Sequence, residues 1–231
     1  MKLKFDLHCH SRFSADGVAE PEDMVRVAKE RGLNGFAITD HNTCECVEYF
    51  LRHGMMREDG MPVDDFLIIP GQEVTTAQGH LLGLGVVLPD LRMSPATEVA
   101  KLIRRKGGIA IPPHPYDLFR AGIRESDLDA MEFDALEVFN AATTMKRYNR
   151  QAFEYAKEKG YPMTSSSDAH HAEALGTAYT ILEVKEFSVR GVLEAIKNGG
   201  ELRQEYLTLK DSFKKTFNNV FRIKRGKKRK S

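Results

Sequence analysis

The chain has 231 residues, a formal net charge of +1 and a hydrophobic share of 42%. That length and composition predict one domain with a buried core, and no apolar run is long enough to span a bilayer. The N-terminus leads directly into an apolar strand, so we expect no signal peptide. Three cysteines cannot all pair with one another, which favours reduced thiols and a cytoplasmic protein.

The net charge hides an asymmetry between the two parts of the chain. Residues 210–231 carry ten basic side chains and one acidic side chain, a net charge of +9, so residues 1–209 carry −8. Phe213, Phe217 and Phe221 recur every four positions, which predicts a helix followed by disordered chain. We therefore expect a folded domain over 1–209 and a basic tail over 210–231. The tail either keeps the protein in solution or holds nucleic acid by counterion release.

Short apolar strands alternate with amphipathic helices along the first 209 residues. This alternation amounts to about seven β/α units, which predicts an α/β fold and favours a barrel over an open sheet. Residues 74–76 and 80–87 read as an extended, hairpin-like excursion. Strands are expected at 3–7, 35–39, 66–70, 109–111, 135–139, 162–165, 179–184 and 202–209, and helices at 21–31, 43–56, 94–105, 144–159 and 188–197.

Two histidines, His8 and His10, follow the first expected strand. Their spacing of two residues puts both imidazoles on the same face of an extended backbone. Because neutral imidazole is the commonest metal ligand in proteins, the pair offers half of a metal site. Taken alone the pair is weak evidence, since half-buried strands often carry histidines.

Further histidines and two carboxylates fall at corresponding places, beside the ends of other expected strands. In a β/α barrel the carboxyl ends of all strands meet at one face, where active sites are built. Side chains about 160 positions apart in sequence would therefore converge in one bowl. With the first pair, these residues are His8, His10, His41, Glu73, His80, His114, Asp168 and His170.

A set of histidine and carboxylate ligands without paired cysteines fits Zn²⁺, Mn²⁺ or Fe²⁺ better than a closed structural zinc site. There are more candidates than one ion needs, which predicts two or three divalent ions that share carboxylates. Glu73 and Asp168 are the expected bridges, because each carboxylate has two oxygens. Two ions about 3.5–4 Å apart, with a hydroxide between them, are suited to in-line attack on phosphorus.

The segments DLHCHSRFSADG, AITDHNT, GQEVTTAQGHLLGLG, PPHP and SSDAHH resemble, in order and spacing, the motifs of the PHP (polymerase and histidinol phosphatase) superfamily. The resemblance covers about residues 3–185 and is nearest to stand-alone metal-dependent phosphoesterases. It implies a distorted TIM-like (β/α)7 barrel with a di- or trinuclear metal site at the C-terminal ends of the strands. The metal ligands implied by motif are His8, His10, Asp16, His41, Glu73, His80, His114, Asp168 and His170.

The resemblance implies a hydrolase that cleaves a phosphate ester with a metal-bridging hydroxide. We expect a small phosphomonoester or nucleotide as substrate and no membrane partner. Glu73, Asp168 and His170 are the expected catalytic residues, and Arg12, His80 and Arg120 the expected substrate-binding residues. Two alternatives stay open, a nuclease that acts on RNA or DNA ends and a non-catalytic scaffold subunit.

Several residues have more than one interpretation at this stage. Asp16 is either a ligand or a surface turn residue, and His80 is either a ligand or a substrate-binding group. Asp6 and Asp40 either orient ligand imidazoles or serve as structural carboxylates near strand ends. Glu137 and Asn140, at the end of an expected strand, contact substrate or support the metal ligands.

Overall fold

The computed structural model describes residues 1–207, where ten strands alternate with six α-helices. Two single 3₁₀ turns, at Leu118–Arg120 and Ala172–Ala174, add to these elements. The strands are β1 Lys2–Cys9, β2 Gly35–Ile38, β3 Leu67–Ile69, β4 Gly71–Thr75, β5 His80–Leu84, β6 Ile109–Ile111, β7 Leu136–Asn140, β8 Met163–Ser166, β9 Tyr179–Glu183 and β10 Glu201–Arg203. The helices are α1 Pro21–Glu30, α2 Glu45–Arg52, α3 Ala96–Arg105, α4 Glu125–Leu128, α5 Lys146–Lys159 and α6 Val189–Lys197.

The strands of residues 1–207 pair in three sheets. The first has the order β10-β9-β1-β2-β3, the second β4-β5-β6 and the third β7-β8. Strands β1, β2 and β3 run parallel, as do β7 and β8, whereas β5 is antiparallel to both of its neighbours. The α/β fold class is therefore confirmed.

Single backbone contacts join the three sheets where full ladders are missing. The amide of His10 donates to the carbonyl of Ala169 at 2.8 Å, and the amide of Asp134 donates to Ala110 at 2.9 Å. No ladder closes the strands of residues 1–207 into one barrel, so the TIM-like barrel stays a prediction. β9 runs antiparallel along the first half of β1, and only a single parallel bridge, between Cys9 and Ala169, joins β1 to the segment after β8.

The centre of the first sheet shows how closely its parallel strands pack. A Cβ atom on Gly35 would lie 2.0 Å from the carbonyl oxygen of Leu67, so only glycine fits at this position of β2. The next residue, Phe36, is fully buried and packs edge-on against Phe50 of α2 and Phe66, with ring centroids 6.1 and 5.8 Å away. This cluster attaches helix α2 to the sheet.

Most expected elements are present, with shifted ends. Strand β1 continues to Cys9, so His8 lies within the strand, and Cys9 packs in the apolar core. Helix α3 begins after Pro95 and has no cap from Ser94; instead the side chain of Gln78 accepts a hydrogen bond from the amide of Ala96 at 2.8 Å. The helix expected around Phe213, Phe217 and Phe221, like the rest of the basic tail, lies outside the described residues.

Within residues 1–207, no helix is long and apolar enough to cross a membrane.

Replacing Phe36 with alanine tests the packing of this core. We expect Phe36→Ala to lower the free energy of unfolding by about 3–5 kcal/mol, because the change removes a fully buried ring and leaves a cavity. Phe119→Ala is the control, since that ring is 76% exposed, and should stay within about 0.5 kcal/mol of the unmodified protein. Urea unfolding followed by circular dichroism measures both, and equal effects would contradict the described packing.

Candidate metal centre

The structure brings all nine expected ligands together in one polar cluster. They come from β1, β4 and β5 and from the loops that follow β1, β2, β6 and β8. Four overlapping groups within the cluster each have ligand atoms within 4.8 Å of one another. We call His8, His114 and Asp168 the inner group. The outer group consists of His10, Asp16, His41 and His170. Glu73 belongs to the two remaining groups, one with His8 and His10 and the other with His41 and His80.

The alternation of β1 places the first histidine pair side by side, as their spacing predicts. The Nε2 atoms of His8 and His10 are only 3.1 Å apart, and both side chains are fully buried. The other ring nitrogen of His8, Nδ1, lies 3.1 Å from Oε1 of Glu137 in β7. The Glu137 contact orients the His8 ring so that Nε2 faces the cluster.

Glu73 lies at the centre of the cluster, and its two oxygens face different histidines. Oε1 is 2.8 Å from His80 Nδ1 and 3.2 Å from His114 Nε2. Oε2 is 3.1 Å from His41 Nδ1 and about as far from the β1 pair, at 3.2 Å from His10 and 3.3 Å from His8. This division of the two oxygens is the geometry that a bridging carboxylate needs.

The two oxygens of Asp168 face different surroundings, unlike those of Glu73, which both face histidines. Oδ2 accepts hydrogen bonds from Asn140 Nδ2 at 3.0 Å and contacts Arg120 Nη2 at 2.6 Å. Oδ1 faces the histidines, at 3.4 Å from Nε2 of His10 and from Nδ1 of His170. Only one oxygen of Asp168 is therefore directed into the cluster. Its backbone has a φ of +53°, which a non-glycine residue rarely adopts and which the surrounding bonds must hold.

The outer group lies nearer to solvent than the inner group. Asp16 is 34% exposed, and its Oδ2 lies 2.8 Å from His170 Nε2 while Oδ1 lies 3.7 Å from His41 Nε2. Sequence reasoning missed Ser14, whose hydroxyl bonds Asp16 Oδ1 at 3.2 Å and accepts from the His41 amide at 3.2 Å. No sequence motif marks a serine for this position, because its partners come from two different loops.

Asp6 and Asp40 contact loop backbones and not ligand imidazoles. Asp40 accepts from the amide and the hydroxyl of Ser11, both at 2.6 Å, and so holds the loop that follows the β1 histidines. Asp6 accepts from the amide of Ser167 at 3.0 Å and from the amide of Gly176 at 2.8 Å. Burial raises the pKa of Asp6 to about 6, although these hydrogen bonds oppose the shift.

The charges of the cluster shift the pKa values of its members strongly. Burial disfavours charge on each group. It prevails at His114 and lowers the pKa of that imidazole. At His8, His10 and Asp168 opposite charges outweigh it. The carboxylates of Asp168 and Glu73 hold the pKa of His8 well above its ordinary value, and hydrogen bonds to the same two groups raise that of His10 to about 9. Burial would raise the pKa of Asp168, but Arg120 and His8 hold it well below its usual range.

The cluster fits divalent cations by its donor set and by its unfilled hydrogen bonds. No well-aligned hydrogen bond satisfies three buried atoms of the cluster, which are Asp168 Oδ1, His80 Nδ1 and His114 Nδ1, although charged groups lie near the first two. Such atoms are costly unless a partner satisfies them, and a cation coordinated by nitrogen and oxygen is a partner that suits both kinds of atom. The ligand roles of the nine residues stay predictions.

The three expected substrate-binding residues lie in different surroundings. Arg120 Nη1 donates to the Ala142 carbonyl at 2.7 Å while Nη2 contacts Asp168, so its guanidinium lies beside the cluster. His80 is 15% exposed and contacts Glu73. Arg12 lies in a surface ion pair with Glu20 at 2.7 Å, with its guanidinium over the ring of Phe13. Their contacts with a substrate stay predictions.

An exposed apolar rim beside Arg120 is a second feature that sequence reasoning missed. Leu118 is 54% exposed, Phe119 76% and Met145 42%. They belong to two loops that Asp117 ties together, since its carboxylate accepts hydrogen bonds from the hydroxyl and amide of Thr144. Exposure of this kind cannot be read from sequence, because hydrophobic residues in loops are usually covered.

A mixed α/β fold with a buried histidine and carboxylate cluster at strand ends is typical of metal-dependent hydrolases. The family model "PHP-associated" matches residues 146–200. An uncharacterized protein of Methanocaldococcus jannaschii is 32% identical over 151 residues, which are 60% of this chain and 82% of the relative. The chain belongs to the PHP superfamily.

Two more relatives and two solved structures show the range of this likeness. A "Probable phosphatase" of Shewanella loihica is 26% identical over 225 residues, 84% of this chain and 90% of the relative. A 5'-3' exoribonuclease of Haemophilus influenzae is 31% identical over 115 residues, 48% of this chain and 39% of the relative. A two-domain protein of Bacteroides vulgatus, described as containing a "predicted PHP-like metal-dependent phosphoesterase", has a TM-score of 0.68 at 21% identity, over 95% of this chain and 70% of that one. A lesion-specific endonuclease of Pyrococcus furiosus has a TM-score of 0.68 at 21% identity, over 88% of this chain and 57% of that one.

The raised pKa values of His8 and His10 predict that metal binding releases protons. The raised pKa values favour protonated imidazole in the metal-free protein, whereas a metal binds only the neutral form. We expect at least about one proton released per chain, and an apparent Zn²⁺ affinity that rises with pH up to about 9. Calorimetry in two buffers of different ionisation enthalpy measures the release, and heats independent of the buffer would contradict it.

Proposed function

We propose that this protein hydrolyses phosphoester bonds at a divalent metal centre formed by the nine clustered side chains. The hydrolase class follows from membership of the PHP superfamily and from its phosphatase and exoribonuclease relatives. The observation that carries the proposal is Glu73, whose two oxygens face two separate sets of imidazoles. A single ion leaves one of these sets unused, so the geometry supports more than one ion.

The centre would hold two or three ions of Zn, Mn or Fe. When bound, such ions would activate water as the nucleophile and neutralise charge on phosphate oxygens. The four groups with ligand atoms in range outnumber the ions expected, and they share His8, His10, His41 and Glu73. Sharing of this kind brings neighbouring ions close enough to act on one phosphate.

The protein's own groups orient the phosphate and supply a proton. Arg120 has its guanidinium held by Asp168 and by the Ala142 carbonyl, which leaves a fixed cation beside the cluster for a phosphate oxygen. His41 and His80, at 18% and 15% exposure, are the cluster histidines that reach solvent most. If His80 binds substrate instead of metal, its imidazole is placed to pass a proton to the leaving oxygen. The catalytic roles of Glu73, Asp168 and His170 belong to this proposal.

We propose a small phosphomonoester or nucleotide as the substrate, with nucleic acid ends as the second candidate. The second candidate has support from the exposed ring of Phe119 next to Arg120, because an exposed aromatic ring stacks on nucleobases. The exoribonuclease relative and the +9 charge of residues 210–231 favour it as well. A scaffold role fits less well, because all nine expected ligands are present and lie together.

The proposal also covers the barrel, the limits of the catalytic domain and the cellular compartment. The backbone contacts between the sheets, such as His10 to Ala169, support an interrupted barrel of TIM type. Residues 1–209 would form the catalytic domain and 210–231 the basic tail. Three free cysteines support a reducing, cytoplasmic setting.

Replacing two ligands at once tests the proposed activity. Native protein loaded with Mn²⁺ or Zn²⁺ should release phosphate from generic esters, or shorten RNA and DNA from their ends. The double variant Asp168→Ala with His170→Ala should fall to the background rate, because both groups face the cluster. Circular dichroism checks that the variant is folded. Equal rates for native protein and variant, over a panel of esters and nucleic acids, would refute the assignment.

A separate test concerns the proposed binding of a phosphate oxygen by Arg120, which we call its clamp role. Arg120→Lys keeps the positive charge but cannot reach Asp168 and Ala142 together, so we expect kcat/KM to fall about 100-fold. Arg104→Lys is the matched control, since Arg104 pairs with Glu132 on the surface and should leave the rate unchanged. Steady-state kinetics on one ester measures both, and an unchanged rate for Arg120→Lys would exclude the clamp.

A further inference from the structure

One buried hydrogen-bond network contacts every member of the inner group and none of the other ligands. It consists of Glu137 and Asn140, which both belong to β7. Their side chains are linked to each other, because Asn140 Nδ2 donates to Glu137 Oε2 at 2.9 Å. Glu137 is 1% exposed and Asn140 is fully buried, so neither side chain is satisfied by bulk water.

The network reaches each inner ligand by a different bond. Glu137 Oε1 lies 3.1 Å from His8 Nδ1, and Glu137 Oε2 accepts from the backbone amide of His114 at 2.8 Å. Asn140 Nδ2 donates to Asp168 Oδ2 at 3.0 Å. Within residues 1–207, the side chains of Glu137 and Asn140 form no hydrogen bond to Glu73 or to the outer group. The network therefore holds the inner group, and through His8 it also reaches the group of His8, His10 and Glu73, but it does not reach the outer group.

Two of these ligands need such support for their backbones. His114 has a φ of +31° and Asp168 a φ of +53°, and both values lie in the left-handed region that non-glycine residues avoid. Each conformation is unfavourable for a residue with a side chain and persists only where its surroundings hold it. The Glu137 bond to the His114 amide and the Asn140 bond to Asp168 hold the two strained residues directly.

The carboxylate of Glu137 also decides which nitrogen of His8 carries a proton. An ionised carboxylate only accepts hydrogen bonds, so it requires a proton on His8 Nδ1 and leaves Nε2 free to bind a metal. Three donors meet the two oxygens of Glu137, from His8, His114 and Asn140. A glutamine in this place has one oxygen, which the His114 and Asn140 donors would take. Its amide would then donate to His8 Nδ1 and force the His8 proton onto Nε2.

We propose that Glu137 and Asn140 control the occupancy of the inner metal position separately from the rest of the centre. Glu137 is a positioning residue, since it acts through His8 and His114 and touches no substrate. The inference rests on the metal centre of the proposed function. It adds that the ions are not held as one unit: loss of the β7 network empties the inner position and leaves the outer group loaded.

The experiment is a Zn²⁺ titration of metal-free protein against a competing chelator, with bound zinc counted by elemental analysis after desalting. We expect Glu137→Gln to lose one equivalent of zinc per chain, with affinity for that ion lowered about 10–100-fold and the affinity of the outer group unchanged. Nitrogen-15 chemical shifts should show the His8 proton on Nδ1 in the native zinc protein and on Nε2 in Glu137→Gln. Asn140→Ala should lose the same equivalent, and it decides the question if Glu137→Gln does not fold.

Asp6→Asn is the matched control. Asp6 is a fully buried carboxylate in the same strand as His8, but its hydrogen bonds go to Ser167 and Gly176. This variant should keep the native number of zinc ions. If Glu137→Gln and Asn140→Ala both keep the native number and affinities, or if both lose all ions together, the inference is overturned while the metal centre stands. If the native protein binds no zinc, manganese or iron, the proposed function fails first.

Discussion

Two carboxylates that are 99% removed from solvent, Glu73 and Asp168, impose the main physical constraint on this fold. A buried carboxylate is costly unless opposite charge and hydrogen bonds compensate for its lost hydration. The protein surrounds this pair with six imidazoles and the guanidinium of Arg120. In the metal-free state protons on His8 and His10 balance part of the negative charge. Divalent cations in the same place would balance this negative charge more fully. The exchange of protons for metal therefore links the stability of the cluster to the binding of the ions that the proposed hydrolysis needs.

The strand arrangement follows from the need to bring these groups to one place. The parallel strands β1, β2 and β8 deliver ligands at their carboxyl ends, as an α/β fold does in general. The antiparallel pair β4 and β5 departs from that pattern and carries Glu73 and His80 into the cluster from two adjacent strands. The departure interrupts a regular barrel, yet it provides the one carboxylate whose oxygens face both sets of histidines.

Much of this arrangement could be predicted from sequence, because the histidines and carboxylates that can bind metal stand beside the ends of the expected strands. The spacing of His8 and His10, and the polar residues beside later strands, were sufficient to name eight of the nine members of the cluster. Asp16 was named only from the resemblance of its motif. The antiparallel return of β9 onto β1 could not be predicted, since the pattern of a buried strand does not reveal its direction. The partners of Asp6, Asp40 and Ser14 were also out of reach, because each bonds atoms far away in the chain whose positions only the tertiary structure determines.

The central claim is that this cluster is a polynuclear metal centre, and anomalous X-ray scattering tests it most directly. Crystals of the metal-loaded protein, measured above and below the zinc and manganese absorption edges, should show two or three anomalous peaks. The peaks should lie about 2.0–2.3 Å from the nitrogen and oxygen atoms of the nine side chains, with one peak beside each oxygen of Glu73. Loaded crystals without an anomalous peak in the cluster, or with a single ion beside one oxygen of Glu73, would contradict the account.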